Sequence, residues 1–149
     1  MPEKETIERA REDAREGKSA STQAGEFVRE EMHHVREGKH GASPQQAIAI
    51  GLSKARRAGV KLSPPKGSAS LRKKAARDSA AGKNPHRKTS RRRSRAVSGA
   101  LKREPKSSAS HRALSQQAKR SAAKRSSQAR SAAAKKAART RKAERTRAA

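Results

Sequence analysis

Cysteine, tryptophan and tyrosine are absent from this chain, and phenylalanine occurs once, at Phe27. The missing thiols exclude disulfides and thiolate metal sites. The missing rings exclude the stacking platforms that hold unpaired bases in many single-strand binders. Leu, Ile, Val and Phe together supply 13 of 149 residues. A highly charged chain in which these four residue types make up less than roughly 20% is expected to be disordered, and this chain has less than half of that share. A large hydrophobic core is therefore excluded.

Long hydrophobic runs are also missing. No apolar stretch approaches the ~20 residues that span a bilayer, and the start, Met1-Pro2-Glu3-Lys4-Glu5, has no apolar signal-peptide region. We therefore expect a cytoplasmic protein without a membrane partner. The sequence shows no nucleophile–base pattern, no Gly-rich phosphate loop and no paired carboxylates. We expect neither enzymatic activity nor a cofactor.

Acidic residues are scarce in the second half of the chain. Residues 1–62 carry 12 Lys/Arg and 10 Asp/Glu, a net charge of +2, whereas residues 63–149 carry 28 and 3, a net charge of +25. The change falls at Ser63-Pro64-Pro65. So many cations repel one another, which predicts that 63–149 is a long intrinsically disordered Lys/Arg/Ala/Ser-rich tail, in which short helices form when anions neutralise it.

The first half is patterned as helices, so the predicted fold class is mostly α, a small helical hairpin followed by the basic tail. Residues 1–21 are predicted as a charged, exposed N-terminal helix or extension, with a helix end at Gly17. The hairpin domain covers 22–62. Its first helix, 22–37, begins near Ser21 or Thr22. Its second helix begins with a capping box, Ser43-Pro44-Gln45-Gln46, and closes at Gly59 in a Schellman turn.

The charge of the tail predicts nucleic-acid binding, because polycations release condensed counterions from phosphates. Without aromatic rings the contacts go to phosphates and grooves, which favours duplex DNA, although RNA stays open. The four cations near the end of the second hairpin helix could instead complement its dipole. The predicted binding residues are Lys54, Arg56, Arg57, Lys61, Arg72, Lys73, Lys74, Arg77, Arg91, Arg92, Arg93, Arg95, Lys119, Arg120, Lys124, Arg125, Lys135, Lys136 and Arg139.

Three histidines, His33, His34 and His40, lie near Glu30 and Glu37. Glu30 and either His33 or His34 are at helical spacing, so two ligands could meet. A second ligand pair from another helix is missing, however, and surface histidines are common. The sequence therefore predicts no metal site.

Residues 103–110 are similar to residues 36–43, which surround the turn of the hairpin. Short helical patterns lie on both sides of the second copy. Either 94–125 is a second hairpin, or the similarity arises by chance in a chain built from few residue types.

The stretch from Glu26 to Leu62 resembles a domain of unknown function found in small basic bacterial proteins. The resemblance is carried by Glu26-Phe27-Val28, by Met32-His33-His34, by Gly38-Lys39-His40-Gly41 and by the helix from Gln46 to Ala55. The tail is similar in composition to the Lys/Ala-rich tails of bacterial histone-like proteins. The resemblance implies a bacterial origin more than an activity. The uneven charge of the two halves, +2 and +25, leads to the main hypothesis, a nucleoid-associated or DNA-protecting protein.

Two other hypotheses stay open: an RNA- or ribosome-associated basic protein, and a protein-interaction module whose tail only solubilises it. In each case the hairpin offers a surface for a partner or for a homodimer.

Overall fold

The computed structural model describes residues 2–83, 90–105 and 109–148, with side chains as far as Thr146. These residues form seven helices and no strand, which confirms the mostly α fold class. The helices are α1 (Lys4–Arg15), α2 (Ala20–Arg36), α3 (Pro44–Arg57), α4 (Ala69–Gly82), α5 (Arg91–Arg103), α6 (His111–Ala123) and α7 (Ser127–Ala148). No helix of the described residues is long and apolar enough to cross a membrane.

The ends of α3 are formed as the sequence predicts. The Ser43 hydroxyl accepts from the Gln46 amide at 3.2 Å, and the Gln46 side chain accepts from the Ser43 amide at 2.7 Å, so the capping box is confirmed. At the other end, the Val60 amide donates to the Ala55 carbonyl at 3.1 Å in a Schellman turn. That turn requires a positive φ, and Gly59 adopts 96° without strain.

Helices α2 and α3 pack together as the predicted hairpin. Phe27, Ala24 and Ala55 are fully buried in its core. The two backbones approach closely at Gly51, where a methyl group would lie 2.7 Å from the Val28 Cα atom. The start of α2 differs from the prediction, because Ser19 is the N-cap and accepts from the Thr22 amide at 3.3 Å.

Helix α1 belongs to this core, although the sequence predicts an exposed helix. It packs against α2 and buries Thr6 and Ala10, while Ile7 is partly buried against the same cluster. The apolar stripe of α1 is thin, but small side chains suffice where two helices approach closely. The predicted helix end at Gly17 is confirmed, with a φ of 73° in the residue that follows the C-cap.

The predicted disordered tail is not supported by the structure. The described residues of 63–149 contain α4, α5, α6 and α7. Alanine has the highest helix propensity, and a serine caps each start by accepting from the amide three residues on: Ser68, Ser90, Ser110 and Ser126. These local terms are the physical reason for the correction, since charge repulsion between exposed side chains is screened by solvent and salt.

Helix α4 is also held by tertiary contacts, because it packs against α3. Ala75 is buried there. Asp78 accepts from the Ser53 hydroxyl at 2.8 Å and forms an ion pair with Arg57 at 2.8 Å. Gly82 lies against the end of α3, where a methyl group would come within 2.6 Å of the Arg57 carbonyl oxygen.

The end of α5 is attached to the turn between α2 and α3. The Gly41 amide donates to the Leu101 carbonyl at 2.8 Å, and the backbone of Glu104 lies directly against Gly41 with no room for a side chain. The Arg36 guanidinium donates to the Ala109 carbonyl at 3.4 Å. Helices α5 and α6 lie in the range that the sequence suggests for a second hairpin, but Lys106–Ser108 of its turn fall outside the described residues.

The chain divides into two units, residues 1–113 and residues 114–149. The first contains α1–α5 and the start of α6. The second contains the rest of α6 and all of α7.

Candidate functional site

Helix α4 presents a basic face to solvent on the side opposite its packed face. Ala75 points towards α3, so Lys73 and Arg77, two residues away on either side, lie on the outer face by helical geometry. Both side chains are exposed, as are the neighbouring Arg72 and Lys74. The packing of α4 on the hairpin therefore fixes the direction in which these charges point.

Helix α5 separates its apolar and basic residues in the same way. Val97, which is 54% exposed, and the half-buried Leu101 share one face. Arg92 and Arg95 lie opposite them, about one turn apart. All four predicted arginines of this helix are exposed; they are Arg91, Arg92, Arg93 and Arg95.

The second unit, residues 114–149, is basic along its whole length. It carries 12 Lys/Arg and only Glu144 as an acidic residue, a net charge of +11. The predicted binding residues of this unit are all exposed; they are Lys119, Arg120, Lys124, Arg125, Lys135, Lys136 and Arg139. Among the residues described, the Lys and Arg side chains of α4–α7 form no ion pair, so no carboxylate of this part of the chain neutralises their charges.

The predicted binding residues of the hairpin behave differently. Lys54 is 19% exposed at its side chain and forms ion pairs with Glu30 and Glu31. Arg57 is held by Asp78. Only the half-buried Arg56 and the exposed Lys61 continue the basic surface. The structure thus brings α4 and α5 cations to the surface and turns Lys54 and Arg57 into structural ion pairs.

A buried acidic pair explains the position of Lys54. Glu30 is 4% exposed and Glu31 is 1% exposed. Burial alone would raise the pKa of Glu30, but hydrogen bonds from Lys54, the Glu3 amide and the Thr6 hydroxyl outweigh it and lower that pKa below its ordinary value. Burial would likewise lower the pKa of Lys54, yet the two carboxylates raise it. Both partners therefore stay charged.

Two histidines converge on the other side of Glu31. His34 Nδ1 lies 3.5 Å from Glu31 Oε1, and His40 Nε2 lies 3.4 Å from Glu31 Oε2. The rings of His34 and His40 meet edge to face, with centroids 6.0 Å apart. His34 comes from α2, while His40 comes from the turn that follows the Schellman glycine Gly38. Both rings are half-buried, whereas the sequence predicts surface histidines.

This cluster differs from the set that the sequence suggested. Glu30 faces Lys54 and the start of α1, and Glu37 forms an ion pair with Lys39 at 2.9 Å. Glu31 is the carboxylate that meets the histidines. The signal available in the sequence was the three-residue step from Glu31 to His34. The contribution of His40 depends on the path of the turn, which residue spacing does not reveal.

Neither a family model, nor a curated protein, nor a solved structure matches this chain.

Proposed function

We propose that the protein binds nucleic acid without sequence specificity, through the cations of α4–α7. The observation that carries the proposal is the contrast between the two sets of charges. The cations of the hairpin are largely paired with acidic residues, whereas those of α4–α7 are exposed and, within the described residues, have no carboxylate partner. Unpaired cations in such number attract polyanions and release their counterions on binding.

Duplex DNA fits these helices best. The one aromatic side chain, Phe27, is fully buried, so no ring is left for stacking on unpaired bases. An α-helix fits the major groove of B-DNA, and α7, with 22 residues, is about 33 Å long at ~1.5 Å per residue. Its cations surround the helix, so phosphates on both sides of a groove are within reach.

Helices that exist before binding lower the entropic cost of association. A disordered tail would have to be ordered on DNA, which consumes part of the interaction free energy. In α4 the packing against α3 already fixes the backbone. We therefore expect fast, strongly salt-dependent binding with little gain of helix.

The test is a fluorescence-anisotropy titration of the full chain on duplex DNA over a series of salt concentrations. We expect affinity to fall steeply with salt. In a plot of the logarithm of the binding constant against the logarithm of the salt concentration, each phosphate contacted contributes about 0.9 to the magnitude of the slope. The double variant Lys73→Gln/Arg77→Gln is expected to reduce the slope by up to about 2. A shallow slope for the unmodified chain contradicts the proposal.

A charge-matched control is available in α1. Arg11 and Arg15 are exposed and form no ion pair with the residues that the structure describes, so Arg11→Gln/Arg15→Gln removes the same charge from the near-neutral half. This control is expected to leave the slope unchanged. An equal loss in both double variants would show that only net charge matters, not the α4 face.

The biological setting we propose is the bacterial nucleoid, in a DNA-associated or DNA-protecting role. It rests on the resemblance to small basic bacterial proteins and on the charge of the chain. Crosslinking in cells followed by sequencing of the bound nucleic acid distinguishes DNA from ribosomal or other RNA. Retention of full function after removal of residues 63–149 would instead favour a protein-interaction module.

A further inference from the structure

We propose that Glu31, His34 and His40 form a binding site for a divalent transition-metal ion of the Zn²⁺ class. Each of the three residues offers one ligand atom, and these atoms all lie within 4.8 Å of one another. His34 Nδ1 lies 3.5 Å from Glu31 Oε1 and His40 Nε2 lies 3.4 Å from Glu31 Oε2, so each ring faces a different oxygen of the carboxylate. Each of these distances is close to the ~3.3–3.4 Å between two ligands of a tetrahedral ion with bonds of about 2.0–2.1 Å. This proposal goes beyond nucleic-acid binding and does not depend on it.

The outer hydrogen bonds of both rings prepare the inner nitrogens as ligands. His34 Nε2 lies 3.0 Å from Glu3 Oε1, and His40 Nδ1 lies 3.2 Å from the Gly41 carbonyl oxygen. A ring nitrogen facing such an acceptor carries the proton, so the neutral tautomers leave His34 Nδ1 and His40 Nε2 as bare lone pairs. A carboxylate and a backbone carbonyl behind two histidines are the usual outer partners of metal-bound imidazoles.

The two rings lack a partner on the side that faces Glu31. In the neutral tautomers, His34 Nδ1 and His40 Nε2 present lone pairs to the oxygens of Glu31, and a lone pair does not bond to a lone pair. Glu31 itself is buried and has the Lys54 ammonium as the partner of Oε1, although this contact does not have the geometry of a hydrogen bond. A metal ion between the three residues would bind both ring nitrogens and the carboxylate together.

The local charge favours a metal ion in a chain that is otherwise strongly basic. The groups around the site come from the start of the chain, from α2, from the turn and from α3, and together they have a net charge of −2 with neutral histidines. These charged groups are Glu3, Glu30, Glu31, Glu37, Lys39 and Lys54. Binding of an ion would require Lys54, which pairs with both Glu30 and Glu31, to release Glu31 and keep Glu30 as its partner.

The chemistry of the ligands narrows the class of ion. Two imidazoles and one carboxylate suit Zn²⁺ and its neighbours in the first transition series, whereas Mg²⁺ and Ca²⁺ prefer oxygen ligands alone. Three protein ligands leave one position of a tetrahedral ion for water. The exposed His33, one residue before His34, lies outside the cluster.

The experiment titrates the chelator-treated full chain with Zn²⁺ by calorimetry, and with Co²⁺ by visible absorption. We expect one ion per chain, a Zn²⁺-dependent rise in melting temperature and Co²⁺ bands of imidazole coordination. Glu31→Gln, His34→Ala and His40→Ala are each expected to weaken binding by more than a hundredfold. The matched controls His33→Ala and His111→Ala are expected to bind as the unmodified chain does.

A further variant keeps the test valid if a ligand variant fails to fold. Glu3→Ala retains all three ligands and removes the outer partner of His34, together with a weak ion pair to the exposed Lys39. Loss of such an outer partner typically weakens metal binding by about 10–100-fold. Circular dichroism of each variant reports whether it is folded. The proposal is overturned if the unmodified chain gives no Zn²⁺ heat and no Co²⁺ bands, or if His34→Ala and His40→Ala bind as well as His33→Ala.

Discussion

Lys54 is the residue on which the interior of the hairpin depends most. Its ammonium is the cation that pairs with Glu30 and Glu31, two carboxylates that are almost fully buried. A buried ion pair adds little compared with apolar packing, but removing one partner leaves an uncompensated buried charge.

Replacement of Lys54 should therefore be costly. Lys54→Ala is expected to lower the free energy of unfolding by about 3 kcal/mol or more, measured by urea denaturation at neutral pH in the presence of a chelator. Lys61→Ala, which removes an exposed cation from the same end of the hairpin, should change it by less than about 0.5 kcal/mol. Equal effects of the two changes would contradict this role for Lys54.

Glu30 makes the stability of the chain sensitive to acid. Its folded-state pKa lies below the ordinary value of 4.5 despite burial, because Lys54, the Glu3 amide and Thr6 stabilise the carboxylate. A lowered folded-state pKa contributes stability that is complete above pH 4.5 and is lost as the pH falls through the folded-state value. Melting temperature should therefore drop below pH 4.5.

Glu30→Gln provides the comparison for this pH dependence. The variant should be less stable than the unmodified chain at pH 7, because a neutral glutamine amide cannot form an ion pair with the ammonium of Lys54. It should also lose less stability on acidification, since the group that is protonated has been removed. An identical acid profile in the two proteins would show that other carboxylates cause the loss.

At the scale of the element, the sequence is a good guide wherever structure is local. The capping box at Ser43 and the Schellman turn at Gly59 involve residues within six positions, so their chemistry can be read directly. The serine caps of the tail are equally local. The tail is nevertheless predicted to be disordered, because that prediction relies on its low content of large apolar residues and not on the caps. Composition limits the size of a core; it does not prevent alanine-rich segments from being helical.

Contacts between elements are harder to predict. Ala75 and Asp78 attach α4 to α3, and neither residue stands out in a segment full of alanine and charge. The meeting of His40 with Glu31 depends in the same way on how the turn folds back. Such contacts join residues far apart in sequence, and their energy comes from geometry that composition and periodicity do not contain.

Two glycines within helices offer a matched test of the hairpin. Gly51 lies where α2 and α3 touch, and a methyl group there would be 2.7 Å from the Val28 Cα atom, whereas Gly25 has nothing within 4 Å of such a group. Gly51→Ala is expected to destabilise the chain by about 1–3 kcal/mol through overpacking. Gly25→Ala should stabilise it by up to about 1 kcal/mol through helix propensity. Thermal unfolding measures both, and a stabilising Gly51→Ala would contradict the close approach.

At the scale of the whole molecule, charge is distributed over two units. Residues 114–149 supply 12 Lys/Arg and one Glu. A chain that ends at residue 113 should keep the melting behaviour of the hairpin, because its described core residues all lie before that point. It should bind duplex DNA with a smaller salt slope, as each lost phosphate contact removes about 0.9. An unchanged slope would show that the second unit makes no contact with phosphates.

The short connection between α2 and α3 serves two attachments. His40 turns towards Glu31, and the next residue, Gly41, holds the Leu101 carbonyl at the end of α5. Two adjacent residues of this turn thus contact the buried carboxylate Glu31 on one side and the strongly cationic helix α5 on the other. If a ligand of His40 and a polyanion bound to α5 both change this connection, thermodynamic reciprocity makes the two effects on affinity equal. The Glu104 backbone leaves no space for a side chain at Gly41, so any substitution of this glycine would have to displace the end of α5 from the turn.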